Sequence, residues 1–186
     1  MNTKNPPEFK KLKSIAEPFK KRLYFVGILT RYLKGEAVKP VVVGGNAVEF
    51  YTFGGYATGD IDIVYPETEA AGSLLRGWGF KKEGRHWFSE DLDIMIEIPS
   101  SMLEPAEKKN VVKILVEGLD VYIIGIEDLI VDRLNSFVWW KYARDGEWAA
   151  ELMEIHDKKI DWKYLRKRSR EEGTLHALAR LRKKKK

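Results

Sequence analysis

The sequence predicts an α+β fold: a mixed β-sheet with flanking helices and a C-terminal helical region. Three observations carry this. Short apolar runs of strand length alternate with helical stretches from Pro40 to Ile98, two further apolar runs follow between Val111 and Ile124, and the chain after Glu127 keeps a helical spacing of apolar residues.

The elements can be justified in order. Residues 1–8 read as a frayed leader, and Phe9 to Lys34 as a first helical segment that Pro18 either kinks or divides, with Gly35 as its stop. Pro40 to Val43 is β-branched and suits a buried strand. A helix begins at Asn46, and Asp60 to Val64 forms the next strand. Pro66-Glu67-Thr68 opens a helix that runs to Gly77. Arg85 to Phe88 is a short strand, and a turn at Ser89-Glu90-Asp91 leads into an alternating strand. There Leu92, Ile94, Ile96 and Ile98 take one face, Asp93, Met95 and Glu97 the other. Val111 to Val116 and Val121 to Ile124 form a hairpin or two short strands. Ile126, Leu129, Ile130 and Leu134 recur at helical spacing, as do Trp148, Leu152 and Ile155.

A chain of 186 residues suits one domain, or one core with a small helical appendage. It has no cysteine, which removes disulfides, thiolate metal sites and cysteine nucleophiles together. No apolar run approaches membrane-span length and the N-terminus lacks an apolar signal core, so a cytoplasmic location with no membrane partner is expected. The net charge of +5 is unevenly placed. From Lys158 onward there are 13 basic and 3 acidic residues, a net of +10, which leaves residues 1–157 at −5. Such a density of cations attracts polyanions.

The chemistry concentrates in one stretch. Val41-Val42-Val43-Gly44-Gly45-Asn46-Ala47 is a strand that breaks into a glycine pair opening a helix. Glycines let a backbone turn tightly and approach a ligand, and the helix N-terminus presents unpaired N–H groups suited to phosphate. Thr58-Gly59-Asp60-Ile61-Asp62-Ile63 follows. Two aspartates two residues apart on a strand share a face, with Cα atoms roughly 6.5 Å apart. Adjacent carboxylates repel and call for a cation, and oxygen donors beside a phosphate site suit Mg²⁺ or Mn²⁺. Asp93 offers a third carboxylate if its strand lies beside that of Asp60 and Asp62. Glu97 shares its face, but Asp93 is preferred because it leads the strand.

This order of glycine pair, helix, Thr-x-Asp-x-Asp and later lone aspartate resembles the nucleotidyltransferase superfamily with a DNA polymerase β-like core, especially its small prokaryotic members. The resemblance rests on Gly44, Gly45, Thr58, Asp60, Asp62 and Asp93, and covers residues 38 to 130 most specifically. It implies that Gly44, Gly45 and Thr58 bind the nucleotide, and that Asp60, Asp62 and Asp93 are catalytic carboxylates and metal ligands for two Mg²⁺ or Mn²⁺ ions. The implied substrate is an NTP. Several small members belong to toxin and antitoxin pairs, so a cognate partner is also implied. In these terms the chain divides into an N-terminal helical segment (1–36), a nucleotidyltransferase core (37–125), a C-terminal helical region (126–182) and a disordered basic tail (183–186). Relatives often carry a cation shortly before the Thr-x-Asp-x-Asp, where this chain has Gly54-Gly55-Tyr56-Ala57. Arg133, Lys141 and Arg144 are the substitute candidates.

The acceptor stays open at this level among RNA, a protein hydroxyl and a small alcohol. Two other functions compete with transfer: a nucleotide-binding antitoxin or partner module, and an RNA-binding protein acting through its basic C-terminus. The aromatic run Phe137-Val138-Trp139-Trp140-Lys141-Tyr142 is expected to pack helices against the sheet in preference to stacking a base. His86, His156 and His176 lie in different elements and make no histidine metal site.

Overall fold

Pro18 divides the first helical segment in two. The computed structural model describes residues 5–35 and 39–183, and its first helix, α1 (Glu8–Ser14), stops short of the proline. Pro18 then opens α2 (Pro18–Tyr32), where its missing N–H costs nothing, and the Glu17 side chain caps the amides of Phe19 and Lys20. Of the expected leader, residues 1–4 lie outside the described residues.

The sheet follows as β1 (Val41–Val42), α3 (Gly44–Tyr51), β2 (Ile61–Val64), α4 (Glu69–Gly77), β3 (Lys81–Glu83), β4 (His86–Ser89), β5 (Ile94–Glu97), α5 (Pro105–Lys109), β6 (Val112–Val116) and β7 (Leu119–Ile123). The seven strands lie in the order β3-β4-β5-β2-β1-β7-β6. β1 is antiparallel to β2 and parallel to β7, while β2 is parallel to β5, so the sheet is mixed. The region after Val111 is a true hairpin, with Val116 paired to Leu119. Two elements escape the sequence reading. β3 is a fully exposed edge strand of charged residues, and α5 is a helix of only 5 residues, so neither has an apolar pattern to announce it.

α2 packs on β7 and β6. The approach is close at Gly27, where a Cβ would lie 2.6 Å from Leu119 Cβ. Trp78, just past α4, fills the adjoining space edge-on to Phe9, Phe25 and Tyr32. The other side of the core is closed by α6 (Ile126–Trp139), α7 (Ala143–Ile155), α8 (Trp162–Glu171) and α9 (Leu175–Lys183). Lys183 ends α9 in place of starting a disordered tail, and residues 184–186 lie outside the described residues. No helix among the described residues is long and apolar enough to cross a membrane.

The aromatic run at the end of α6 divides between two environments. Phe137 packs against Gly146 of α7 and beneath Arg180. Trp139, Trp140 and Tyr142 are exposed, contrary to the packing expectation for the run as a whole. The reason is local: α6 ends at Trp139, and Lys141 turns the chain with φ of +62°, so these rings project from a helix end.

Candidate functional site

β1 runs into α3 with no loop between them. Val43 is still extended, and Gly44 turns the corner at φ +53°, a conformation costly for residues with a Cβ. The space also requires glycine, because a Cβ there would lie 2.2 Å from Asp62 Oδ2. The corner thus admits the Asp62 carboxylate to the start of α3, where the Gly45 N–H donates to Asp62 Oδ2 at 2.8 Å. The helix therefore begins at the glycines, two residues before the expected Asn46. An amide that sequence reasoning offers to phosphate is already engaged by Asp62, at the positive end of the helix.

Asp60 is fixed from two sides. Thr58 Oγ1 donates to Asp60 Oδ1 at 2.7 Å. The fully buried Asn46 of α3 donates through Nδ2 to the Asp60 backbone carbonyl. Asn46 is itself oriented by Arg22 of α2, whose Nε donates to Asn46 Oδ1 at 2.9 Å while Nη2 pairs with Glu49 at 2.6 Å. A buried polar chain thereby runs from α2 through α3 to Asp60. Every one of these groups is satisfied, which is the condition for such a network to rigidify a site.

The carboxylate that the fold brings beside Asp60 and Asp62 is Glu97, and the expected placing of Asp93 there is corrected. β2 and β5 pair in parallel with Asp62 opposite Glu97, and one carboxylate oxygen from each of Asp60, Asp62 and Glu97 falls within 4.8 Å of the others. Asp93 sits in the turn before β5 with φ of +51°, its side chain 98% exposed and its nearest cation Lys21 at 4.0 Å. Four residues along a strand correspond to about 13 Å, so Asp93 lies at the far end of β5 from the cluster. The shared face of Asp93 and Glu97 was legible in the alternation. The register between β2 and β5 was not, because both strands are apolar runs that pair equally well at other offsets.

Asp60, Asp62 and Glu97 line a cleft of about 640 Å³, together with Gly44, Gly45, Thr58, Arg133 from the middle of α6 and Trp140 just past its end. Burial, opposed by the Gly45 amide and reinforced by Asp60 and Glu97, pushes the Asp62 carboxyl up to about 6. A group so placed gains from a nearby cation. Three oxygen donors at this separation can hold a divalent metal ion.

Positive charge comes from two arginines. Arg133 is held against the cleft by Asp145 at 3.0 Å and by Asp132, and although burial works against its charge these carboxylates hold its guanidinium above the ordinary range. Arg85, which sequence reasoning missed, reaches Glu97 Oε1 at 2.7 Å from the residue just before β4. His86 Nε2 stands 3.5 Å from the other Glu97 oxygen. Arg85 and His86 arrive there because β4 pairs antiparallel with β5, His86 opposite Glu97. No local pattern could have announced this cross-strand contact. Of the other candidates, Lys141 donates to the Val138 carbonyl, and Arg144 is exposed and not among the cleft residues.

The fold is similar to that in a crystal structure of an antigenic nucleotidyltransferase-like protein from Paracoccidioides brasiliensis, with a TM-score of 0.63 over 91% of this chain and 89% of that one. The fold is nucleotidyltransferase-like. At 15% identity the likeness is one of fold alone, so the chemistry of the cleft must be argued from its own residues. No protein-family profile matches the chain, and no curated protein does.

Proposed function

We propose that this protein is a metal-dependent nucleotidyltransferase, which transfers a nucleoside monophosphate from an NTP to an acceptor hydroxyl and releases pyrophosphate. One observation carries the reading: Asp60, Asp62 and Glu97 converge beside the Gly44–Gly45 corner in a cleft that also holds Arg133. Asp60, Asp62 and Glu97 would hold Mg²⁺ or Mn²⁺, which when bound neutralises triphosphate charge and lowers the pKa of the acceptor hydroxyl. The glycine corner seats the Asp62 carboxylate against the start of α3, and Thr58 holds the Asp60 carboxylate in a fixed direction. Arg133 and Arg85 both line the cleft and would supply the positive charge for the triphosphate in the place of the cation missing at positions 54–57. The acceptor oxygen bonds to the α-phosphorus, its proton passes to a carboxylate oxygen of the cluster, and the bond from the α-phosphorus to the bridging oxygen breaks. Such chemistry relies on positioning and charge.

The test is incubation with each labelled NTP, Mg²⁺ and cell extract or total RNA, reading label transfer and pyrophosphate release. Both are expected for one or more NTPs, and both vanish in Asp60→Asn. Nucleotide binding without pyrophosphate release would replace this reading with that of a binding module.

A further inference from the structure

Resting on the transferase reading, we infer that the acceptor is a single-stranded RNA held in a groove between α8 and α9 and led along α8 to the cleft. The groove has about 330 Å³ of space, an apolar floor that includes Leu175 and Leu178, and a rim of Arg166, Arg182 and Lys183. At its edge the Arg182 guanidinium lies 3.8 Å from the centre of the Trp162 ring. The Trp162 indole is itself anchored, donating Nε1 to the Asp157 carbonyl at 3.1 Å. A stacked arginine and tryptophan above an apolar floor, rimmed by cations, fits an unpaired base with its phosphates outside. Duplex ends present no such free base, whereas unpaired segments are the ordinary state of RNA loops and ends. Beyond the Trp162 and Arg182 pair, Glu154 and Asp157 line the neighbouring hollow, so a polyanion is confined to the α8–α9 side.

The path to the cleft follows α8. Lys163, Arg166, Lys167 and Arg170 are exposed and spaced three or four apart, so they form one basic face. The helix ends at the cleft rim: Arg168 reaches Glu104, a cleft residue, at 2.9 Å, and the Glu172 carbonyl accepts from Trp139 Nε1 at 3.3 Å. Trp140, the next residue, is 63% exposed and lines the cleft. Arg168 pairs with both Glu104 and Glu172 at this rim, which offsets their charge toward a polyanion, and the inferred path carries the terminal hydroxyl of a strand seated in the groove past them toward the carboxylates.

Fluorescence anisotropy with a labelled single-stranded RNA of about 12–16 nucleotides tests this, using wild type, Arg166→Ala/Arg182→Ala and Asp60→Asn. The double arginine variant should bind RNA about tenfold or more weakly, with its salt slope reduced by roughly 0.7 for each lost phosphate contact. It should keep the thermal shift caused by Mn²⁺ and NTP, which shows the fold and cleft intact. Asp60→Asn should keep RNA affinity and lose the thermal shift. With labelled NTP, the label should enter the RNA. Unchanged RNA affinity in the arginine variant, tighter binding of DNA of the same sequence, or label entering protein while RNA is present would each overturn the inference. Loss of the transferase reading alone would appear differently, as an Asp60→Asn variant whose thermal shift equals that of wild type.

Discussion

Burial and the charges of Asp60 and Glu97 set the Asp62 carboxyl apart, at about 6. The consequence for stability has a definite sign. Between the ordinary aspartate value near about 3.9 and about 6, the folded chain binds more protons than the unfolded chain, so metal-free stability falls as pH rises through that window. Asp62→Asn keeps an oxygen to accept from Gly45 but cannot ionise. Its melting temperature, measured without metal, should exceed that of wild type above pH 6 and show less dependence between pH 4 and 6; equal profiles would show that Asp62 titrates like a surface aspartate. Gly44 is constrained in two ways at once, by φ of +53° and by the Asp62 carboxylate that fills the space a Cβ would need. Gly44→Ala should cost about 1–2 kcal/mol in urea unfolding and weaken Mn²⁺ binding by about tenfold or more. Retained Mn²⁺ affinity would mean that Asp62 is not a ligand. The glycines, Thr58 and both aspartates were legible because they form two short local patterns, a glycine pair after a β-branched run and Thr-x-Asp-x-Asp on a strand. Glu97 and Arg133 were candidates that the sequence could not rank, and Arg85 was hidden, because their places depend on pairings between distant elements for which one sequence carries no register.

At the scale of elements, α3 does more than point its N-terminus at a ligand. It carries Asn46, which joins Arg22 of α2 to the backbone of Asp60. Asn46→Ala would leave the buried Arg22 Nε and the Asp60 carbonyl without this partner. A loss of about 1–3 kcal/mol in denaturant unfolding is expected, together with weaker metal binding. Stability loss with unchanged metal affinity would limit the network to a structural role. Elements with clear periodicity or β-branched runs, such as α6, β1 and β2, were readable, and Pro18 marked a real boundary. β3 was not, because its three exposed charged residues look like a loop until β4 pairs with them. The exposure of Trp139 and Trp140 was equally hidden, since apolar character suggests packing and only the end of α6 decides otherwise.

For the whole molecule, the cleft is assembled from Val43, α3, β2, β5 and α6, so a ligand bound there ties together residues from 43 to 140. Ligand binding to the folded state should therefore raise the melting temperature of the entire chain. At one hundred times its Kd a ligand adds about 2.7 kcal/mol, roughly 5–10 °C for a chain of this size. The charge asymmetry follows the same division of labour: residues 1–157, which hold the carboxylates, are net acidic, and residues 158–186 carry a net +10. The most direct measurement of the central claim is a thermal titration of wild type, Glu97→Gln and Asp93→Asn with Mn²⁺ and a non-hydrolysable NTP analogue. Wild type and Asp93→Asn should shift equally while Glu97→Gln loses most of the shift; a full shift in Glu97→Gln with loss in Asp93→Asn would contradict the account.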